Sequence, residues 1–343
     1  MKLLRIIPDG TKFGFMRFRR MSFPFSALLS VISVVLFLSF GMNFGIDFRG
    51  GTAMELRATS GTADLAKLRS TLEGLHLGDV EVQGFGKPSD VAVRVGLQPG
   101  GGPGQEVAVA KIKAALGETY TYRSVNVVGP RVSGELVQSG TLGIVASVIA
   151  VLIYLWFRFE WQFAIGAVIA TLHDLVLTIG FFALTRLEFD MTSIAAILTI
   201  VGYSLNDTVV VLDRIREMMK KYKKMPTQEL LDISINTTLS RTVMTSMTTF
   251  LALVALVGLG GHVIRSFSLA MMFGVVIGTY SSIFIAAPVL IYLGLRSENR
   301  FGRQEVEAEP PQTAAAGAQV NGAQVKGAQV KGAHVKGGNK ALA

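Results

Sequence analysis

Six stretches of this chain are long and apolar enough to cross a bilayer, at residues 22–42, 138–157, 162–185, 191–212, 243–260 and 267–294. A spanning helix needs about 20 such residues. In hydrocarbon each segment must satisfy its own backbone polar groups, so each stretch is expected to be a helix. Six crossings return the chain to the side on which it began. Of 343 residues, 50% are hydrophobic and 17% charged, too few charges to cover soluble domains of that total length. The lack of cysteine excludes thiol nucleophiles, zinc ribbons, iron–sulfur clusters and disulfide scaffolds. The first apolar run is too long for a signal-peptide core, and Asn43-Phe-Gly-Ile-Asp47 offers no small-x-small cleavage site. It is expected to remain as an anchor.

Basic residues set the orientation. Lys2, Arg5, Lys12, Arg17, Arg19 and Arg20 precede the first span in a basic segment 1–21. Arg214, Arg216, Lys220, Lys221, Lys223 and Lys224 follow the fourth span, in a loop 213–242. Arg296, Arg300 and Arg303 follow the sixth, whereas the loops after spans three and five carry little beyond Arg186 and Arg265. Lys and Arg concentrate on the cytoplasmic side, so both termini are expected in the cytoplasm and residues 43–137 outside. The helix end Asp213–Glu217 is expected to be solvated with Arg214 and Arg216 at head groups, and the amphipathic stretch 227–239 to lie along the inner surface. The tail 295–343, which from Pro310 repeats Gly-Ala-Gln-Val-Asn/Lys pentads too slight for a core, is expected to be disordered, its lysines weakly drawn to anionic membrane lipid.

Residues 45–137 hold ten acidic and ten basic side chains, so the net charge of +9 comes from elsewhere. Nucleic-acid binding by this segment therefore lacks its electrostatic footprint. Thr52–Ala58 alternates like a strand, and the stretch from Thr62 has helical apolar spacing with Thr62 as N-cap. Val80–Phe85 and Val91–Val95 alternate again across a Gly86–Asp90 turn. After a flexible Gly100–Gly104 loop, residues 106–116 read as a helix and 120–128 as a strand. The order β-α-β-β-α-β is ferredoxin-like, so the fold expected is a polytopic α-helical membrane protein with six transmembrane helices and a small α+β domain between the first two. His76 stands alone there, with no catalytic set around it. Gly45-Ile-Asp-Phe-Arg-Gly-Gly-Thr52 joins span and domain, with Gly45, Asp47, Gly50 and Gly51 expected to form either a sharp exit from the membrane or a docking hinge. It lacks the G-x-G-x-x-G spacing of a nucleotide loop.

Ionisable groups inside spans mark ion paths, because a charge at the bilayer centre costs about 2.5–3.5 kcal/mol on insertion scales. Asp174 lies in span three and Asp207 in span four, while Arg241 stands at the start of span five. Helical spacing puts Tyr203, Asn206 and Asp207 on one face, and Arg241, Thr245, Thr248 and Thr249 form a second polar stripe. An Asp facing an Arg across such a seam would suit a proton-coupled device, because pairing strength changes with protonation. The competing role is a fixed ion pair that holds helices together. His173, beside Asp174, is a weaker candidate.

These features together resemble the SecF family, smaller subunits of SecD–SecF protein-export complexes, itself similar to resistance-nodulation-division transporters. The likeness covers residues 20–300 and rests on Gly45–Thr52, His173-Asp174, Gly202–Glu217, Arg241-Thr242 with Thr245-Ser246, and Gly260-Gly261 ahead of Ser266-Phe267. The resemblance implies proton conduction through Asp207 and Arg241. It also implies a second six-span half from SecD, a place beside the SecYEG translocon, and late steps of preprotein export driven by the proton-motive force. No catalysis, cofactor or metal is implied. A small-molecule or lipid exporter of the same superfamily and a non-conducting translocon scaffold are the competing readings.

Overall fold

The computed structural model describes residues 11–260 and 264–295, so the C-terminal pentad tail and its Arg296, Arg300 and Arg303 lie outside the described residues, as do Lys2, Arg5 and Gly261. Among the described residues, six helices are long and apolar enough to cross a membrane. They are α1 (Arg19–Phe40), α5 (Pro130–Arg158), α6 (Trp161–Thr185), α7 (Met191–Lys221), α8 (Thr227–Leu259) and α9 (Arg265–Ser281), the last continuing through a π-helical turn, Ser282–Ala286, into α10 (Ala287–Tyr292). Their burial is uneven. α6, α7 and α9 form the centre of the bundle, whereas α1, α5 and α8 are mostly open to their surroundings. Leu38, Phe157 and Leu259 are 75%, 85% and 90% exposed, an exposure that only lipid or another bundle makes tolerable.

Two helices run further than their apolar stretches. α5 starts at Pro130, whose fixed φ suits a first turn, rather than at residue 138. α8 begins at Thr227 and continues unbroken into the span, so 227–239 is not a separate surface helix. Its apolar face, Leu230, Leu231, Ile235 and Leu239, packs against Ile215 and Met218 of α7 and against Met16. Side chains of Asp232 and Asn236 then tie down the entering chain: Met16 N–H donates to Asp232 Oδ1 at 2.9 Å and Phe13 N–H to Asn236 Oδ1 at 3.0 Å. The end of α7 is also held, since Arg158 pairs closely with Asp213 and Arg214 bonds Thr237 at 3.0 Å.

Between α1 and α5 lies the α+β domain: β1 (Asn43–Phe44), α2 (Ile46–Arg49), β2 (Gly51–Ala58), α3 (Leu65–Glu73), β3 (Val80–Gly84), β4 (Asp90–Val95), α4 (Gly102–Leu116) and β5 (Tyr120–Val128). Its four long strands form an antiparallel sheet in the order β3-β4-β2-β5, the ferredoxin-like arrangement. Alternation sends Met54, Leu56, Val91, Val93 and Val95 to one face, where Leu68, Leu72, Ala108 and Ile112 of α3 and α4 close the core. The cap of α3 is Asp64, not Thr62: its carboxylate accepts from Lys67 N–H at 3.0 Å. Gly100–Gly104 is only partly a loop, because α4 starts at Gly102 with a proline in its first turn.

The sheet's other face carries charge. Arg57 and Asp90 stand opposite each other in the β2–β4 register and bond twice, at 2.6 and 2.8 Å, with Arg123 at 3.5 Å. The Arg57 hydrogen bonds hold the Asp90 carboxyl below the usual carboxylate range.

Candidate functional site

The glycine-rich segment after α1 is docked by backbone pairing. Asn43 and Phe44 pair in parallel with Glu188 and Phe189, a short strand β6 (Glu188–Phe189) between α6 and α7. Asp47 Oδ2 accepts from Met191 N–H at 3.0 Å, and Asp190 caps the same helix start reciprocally with Ser193. Both carboxylates sit where α7 presents the positive end of its dipole. Gly50 and Gly51 turn the chain into β2 at φ +73° and +126°, and a Cβ on Gly51 would lie 2.5 Å from the Val95 carbonyl oxygen. Only glycine fits there. Gly45 lies against the Glu188 side chain, and Arg94 of β4 pairs closely with Glu188. Burial pushes the Glu188 carboxyl up despite that partner, with Asp190 and Asp47 adding to the rise.

Inside the bundle, α6, α7 and α9 approach closely enough to share side-chain hydrogen bonds. A Cβ on Gly278 of α9 would lie 2.9 Å from Ser204 Cβ of α7, so the missing side chain sets the helix separation. Two carboxylates sit in this contact. Asp207 is 7% exposed and accepts from Thr242 Oγ1 of α8 and Ser282 Oγ of the π-helical turn, each at 2.6 Å. Asp174 is 1% exposed and accepts on one oxygen from Ser204 at 2.5 Å and Ser281 at 2.7 Å. Its other oxygen lies 3.1 Å from His173 Nδ1, whose ring is 6.3 Å from that of Tyr280.

Arg241 is placed differently from the facing pair expected. Its side chain is exposed, and among the described residues no Lys or Arg nitrogen lies within 4.0 Å of Asp207. The next residue, Thr242, turns inward in its stead. Asn206 is also exposed, as are Thr245 and Thr248 on α8, while Tyr203 is half-buried with no hydroxyl partner among the described residues. Asn206 of α7 and Arg241, Thr245 and Thr248 of α8 therefore face outward, and the carboxylates face inward among hydroxyls.

That hydroxyl shell is chemically specific. A serine or threonine hydroxyl can donate to a carboxylate and can equally accept from a carboxylic acid, so the shell accommodates both protonation states without a fixed counter-charge. Ser204, Thr242, Ser281 and Ser282 carry this property, and the sequence reading gave none of them this role. One signal was available, a pair of adjacent serines in an otherwise apolar last span. No His, Asp or Glu cluster suited to a metal occurs among the described residues.

Comparison with known proteins places the chain, rather than the site, in a family. Residues 108–296 match the family described as protein export membrane protein SecD/SecF, C-terminal, and residues 35–61 match the SecD/SecF GG motif. The chain is 46% identical to a protein translocase subunit SecF of Cereibacter sphaeroides, over 85% of this chain and 93% of that one. It is 45% identical to the SecF of Rickettsia bellii, over 84% and 95%. A protein translocase subunit SecDF of Brucella abortus is 44% identical over 90% of this chain, which spans only 41% of that longer protein. The crystal structure of a translocon-associated SecDF from Thermus thermophilus superposes with a TM-score of 0.75 at 35% identity, covering 84% of this chain and 39% of that one. The chain belongs to the SecF family of protein-export membrane proteins.

Proposed function

We propose that this chain is one half of a SecD–SecF complex that lets protons move down the membrane gradient and uses their passage to promote late steps of protein export. The observation that carries the reading is Asp207, buried at a helix junction and hydrogen-bonded by two hydroxyls, with the Arg241 charge acting on it from beyond ion-pair contact. A fixed ion pair would instead need Arg241 against it. Asp207 then alternates between charged and neutral forms, and helices bonded to it through Thr242 and Ser282 respond to each change.

Outward-facing polar residues support a device built of two bundles. SecDF relatives carry more than twice this length, and Asn206, Arg241, Thr245 and Thr248 face outward where a second bundle would bury them. That second bundle is SecD, with the pair seated beside the SecYEG translocon in a bacterial inner membrane. Orientation follows from the basic loops: termini inside, the α+β domain outside, where it meets the exported preprotein. The docking of β1 and Asp47 on the start of α7 gives movement of that helix a route to the domain. The role is transport; neither nucleic acid nor catalysis enters.

The scale is adequate, since one charge crossing about 100 mV gains about 2.3 kcal/mol. The test is export into vesicles holding the chain with SecD, with and without a proton gradient. Faster completion of export with the gradient, abolished by a protonophore, is the expected result.

A further inference from the structure

Asp174 is more deeply buried than Asp207, and the proposed function makes no use of it. Like Asp207, it is surrounded by hydroxyls, and the two shells meet in one place. Ser281 donates to Asp174 at 2.7 Å and Ser282 to Asp207 at 2.6 Å. These are consecutive residues, standing where α9 passes into its π-helical turn. Such turns carry one extra residue and are frequent at functional sites. Consecutive helical residues point about 100° apart, so one turn reaches α6 with one serine and α7 with the next.

Each serine also has a second acceptor within its own helix. Ser281 Oγ lies 3.2 Å from the Gly278 carbonyl and Ser282 Oγ 3.0 Å from that of Thr279. When the neighbouring carboxylate is charged, the hydroxyl hydrogen points to it. When the carboxyl group is protonated, its O–H donates to the serine oxygen and the serine hydrogen rotates to the backbone carbonyl. One O–H bond forms at the carboxylate for each proton taken up and breaks for each proton released; no other bond changes.

Resting on the proton-coupled reading above, we propose that Asp174 is a second proton-carrying group of the same device, and that Ser281 and Ser282 are positioning residues through which the charge on one aspartate sets the hydrogen-bond geometry offered to the other. Several titratable or charged groups stand on the enclosing elements. They are His173 beside Asp174, Tyr203 one turn before Asp207, Arg241 one residue before Thr242, and Tyr280 one residue before Ser281. His173 is the only one of these that touches a carboxylate in the pair among the described residues, and its Nε2 is buried without a partner there.

Infrared spectroscopy of the full chain with SecD in membranes tests this, since a protonated carboxyl group has its own C=O stretch. Bands are assigned by their loss in Asp174→Asn and in Asp207→Asn, then titrated from about pH 4 to about pH 9. The Asp174 band should titrate within that window, and its midpoint should move by about one pH unit or more in Asp207→Asn and in Ser281→Ala. Ser282→Ala should move the Asp207 band by a similar amount, and Ser281→Thr, which keeps the hydroxyl, should restore the first midpoint. An Asp174 band fixed across the window, or a midpoint indifferent to Asp207→Asn, overturns the proposal even where Ser281→Ala fails to insert. Gradient-driven export measured on the same Asp207→Asn sample separates the two claims. Loss of export with an unmoved Asp174 band sinks this inference alone, whereas retained export sinks the reading beneath it.

Discussion

Asp90 in the α+β domain and Asp207 in the membrane bundle leave nearly the same small share of surface exposed, 5% and 7%, yet their partners differ in kind. Asp90 sits between two guanidinium groups, from Arg57 and Arg123. Asp207 has two hydroxyls. A guanidinium cannot lose its proton in a protein, so it fixes the carboxylate in its charged form and fixes the strands that carry the pair. Hydroxyls serve both forms of the acid. The same residue type thus acts as a static brace in one region and as a switchable contact in the other, and burial alone does not separate the roles.

Removing a hydroxyl should give the largest effect. Thr242→Ala leaves Asp207 with one donor, and a hydrogen bond to a charged group contributes about 1.5–3 kcal/mol, so gradient-driven export should fall roughly ten-fold with a displaced pH profile. Thr242→Ser should restore both. An unchanged profile in Thr242→Ala would erase the distinction between the two aspartates.

Asp90→Ala comes next. Arg57 keeps the Asp90 carboxyl below its ordinary value, so the pair's stability is present above about pH 4, the unfolded value, and fades as pH falls through the folded one. The variant should lower the melting midpoint of the α+β domain by on the order of a few degrees at neutral pH. The gap from the parent should close in acid. Circular dichroism of the full chain in detergent, followed with proteolysis of the 51–128 segment, reads this out. A gap that widens in acid would contradict the brace.

Glu188→Gln should give the smallest change. Burial raises the Glu188 carboxyl above its usual range, so its charged form weighs against the folded state above the folded value, and that weight disappears as pH falls. Glutamine removes the weight while remaining able to accept from Arg94. Melting at neutral pH should stay equal or rise by less than about 1 kcal/mol in stability, with no difference in acid. A marked loss would make the Arg94–Glu188 contact a brace like that at Asp90.

Much of this was legible from periodicity. The six apolar runs and the β-α-β-β-α-β order fixed the architecture, and charge within apolar runs singled out Asp174 and Asp207. Beyond the adjacent Ser281 and Ser282, the hydroxyl shell was not legible, because membrane helices use serine and threonine freely and most bond within their own helix. Thr171 and Thr199 do so, to the Ala167 and Ala195 carbonyls at 2.9 and 2.7 Å. Nothing local distinguishes them from Thr242. Arg241 was expected to face Asp207 across the seam between two polar stripes, but helix rotation about its axis is invisible in one sequence, and a step of one residue brings Thr242 into hydrogen-bond contact while the Arg241 charge acts from farther away. The amphipathic stretch 227–239 carried a true pattern with the wrong neighbour expected: its apolar face meets α7 and Met16, not the membrane surface.

The most direct measurement is Asp207→Asn, scored for yield of the complex with SecD and for gradient-dependent export in the same vesicles. Asparagine keeps the size and hydrogen-bonding capacity of the protonated acid but cannot release a proton. A switchable Asp207 requires normal yield with the response to the gradient lost. Gradient-driven export that persists in Asp207→Asn, or a complex that fails to assemble and is rescued by adding Arg241→Met, would contradict it and make Asp207 a brace after all.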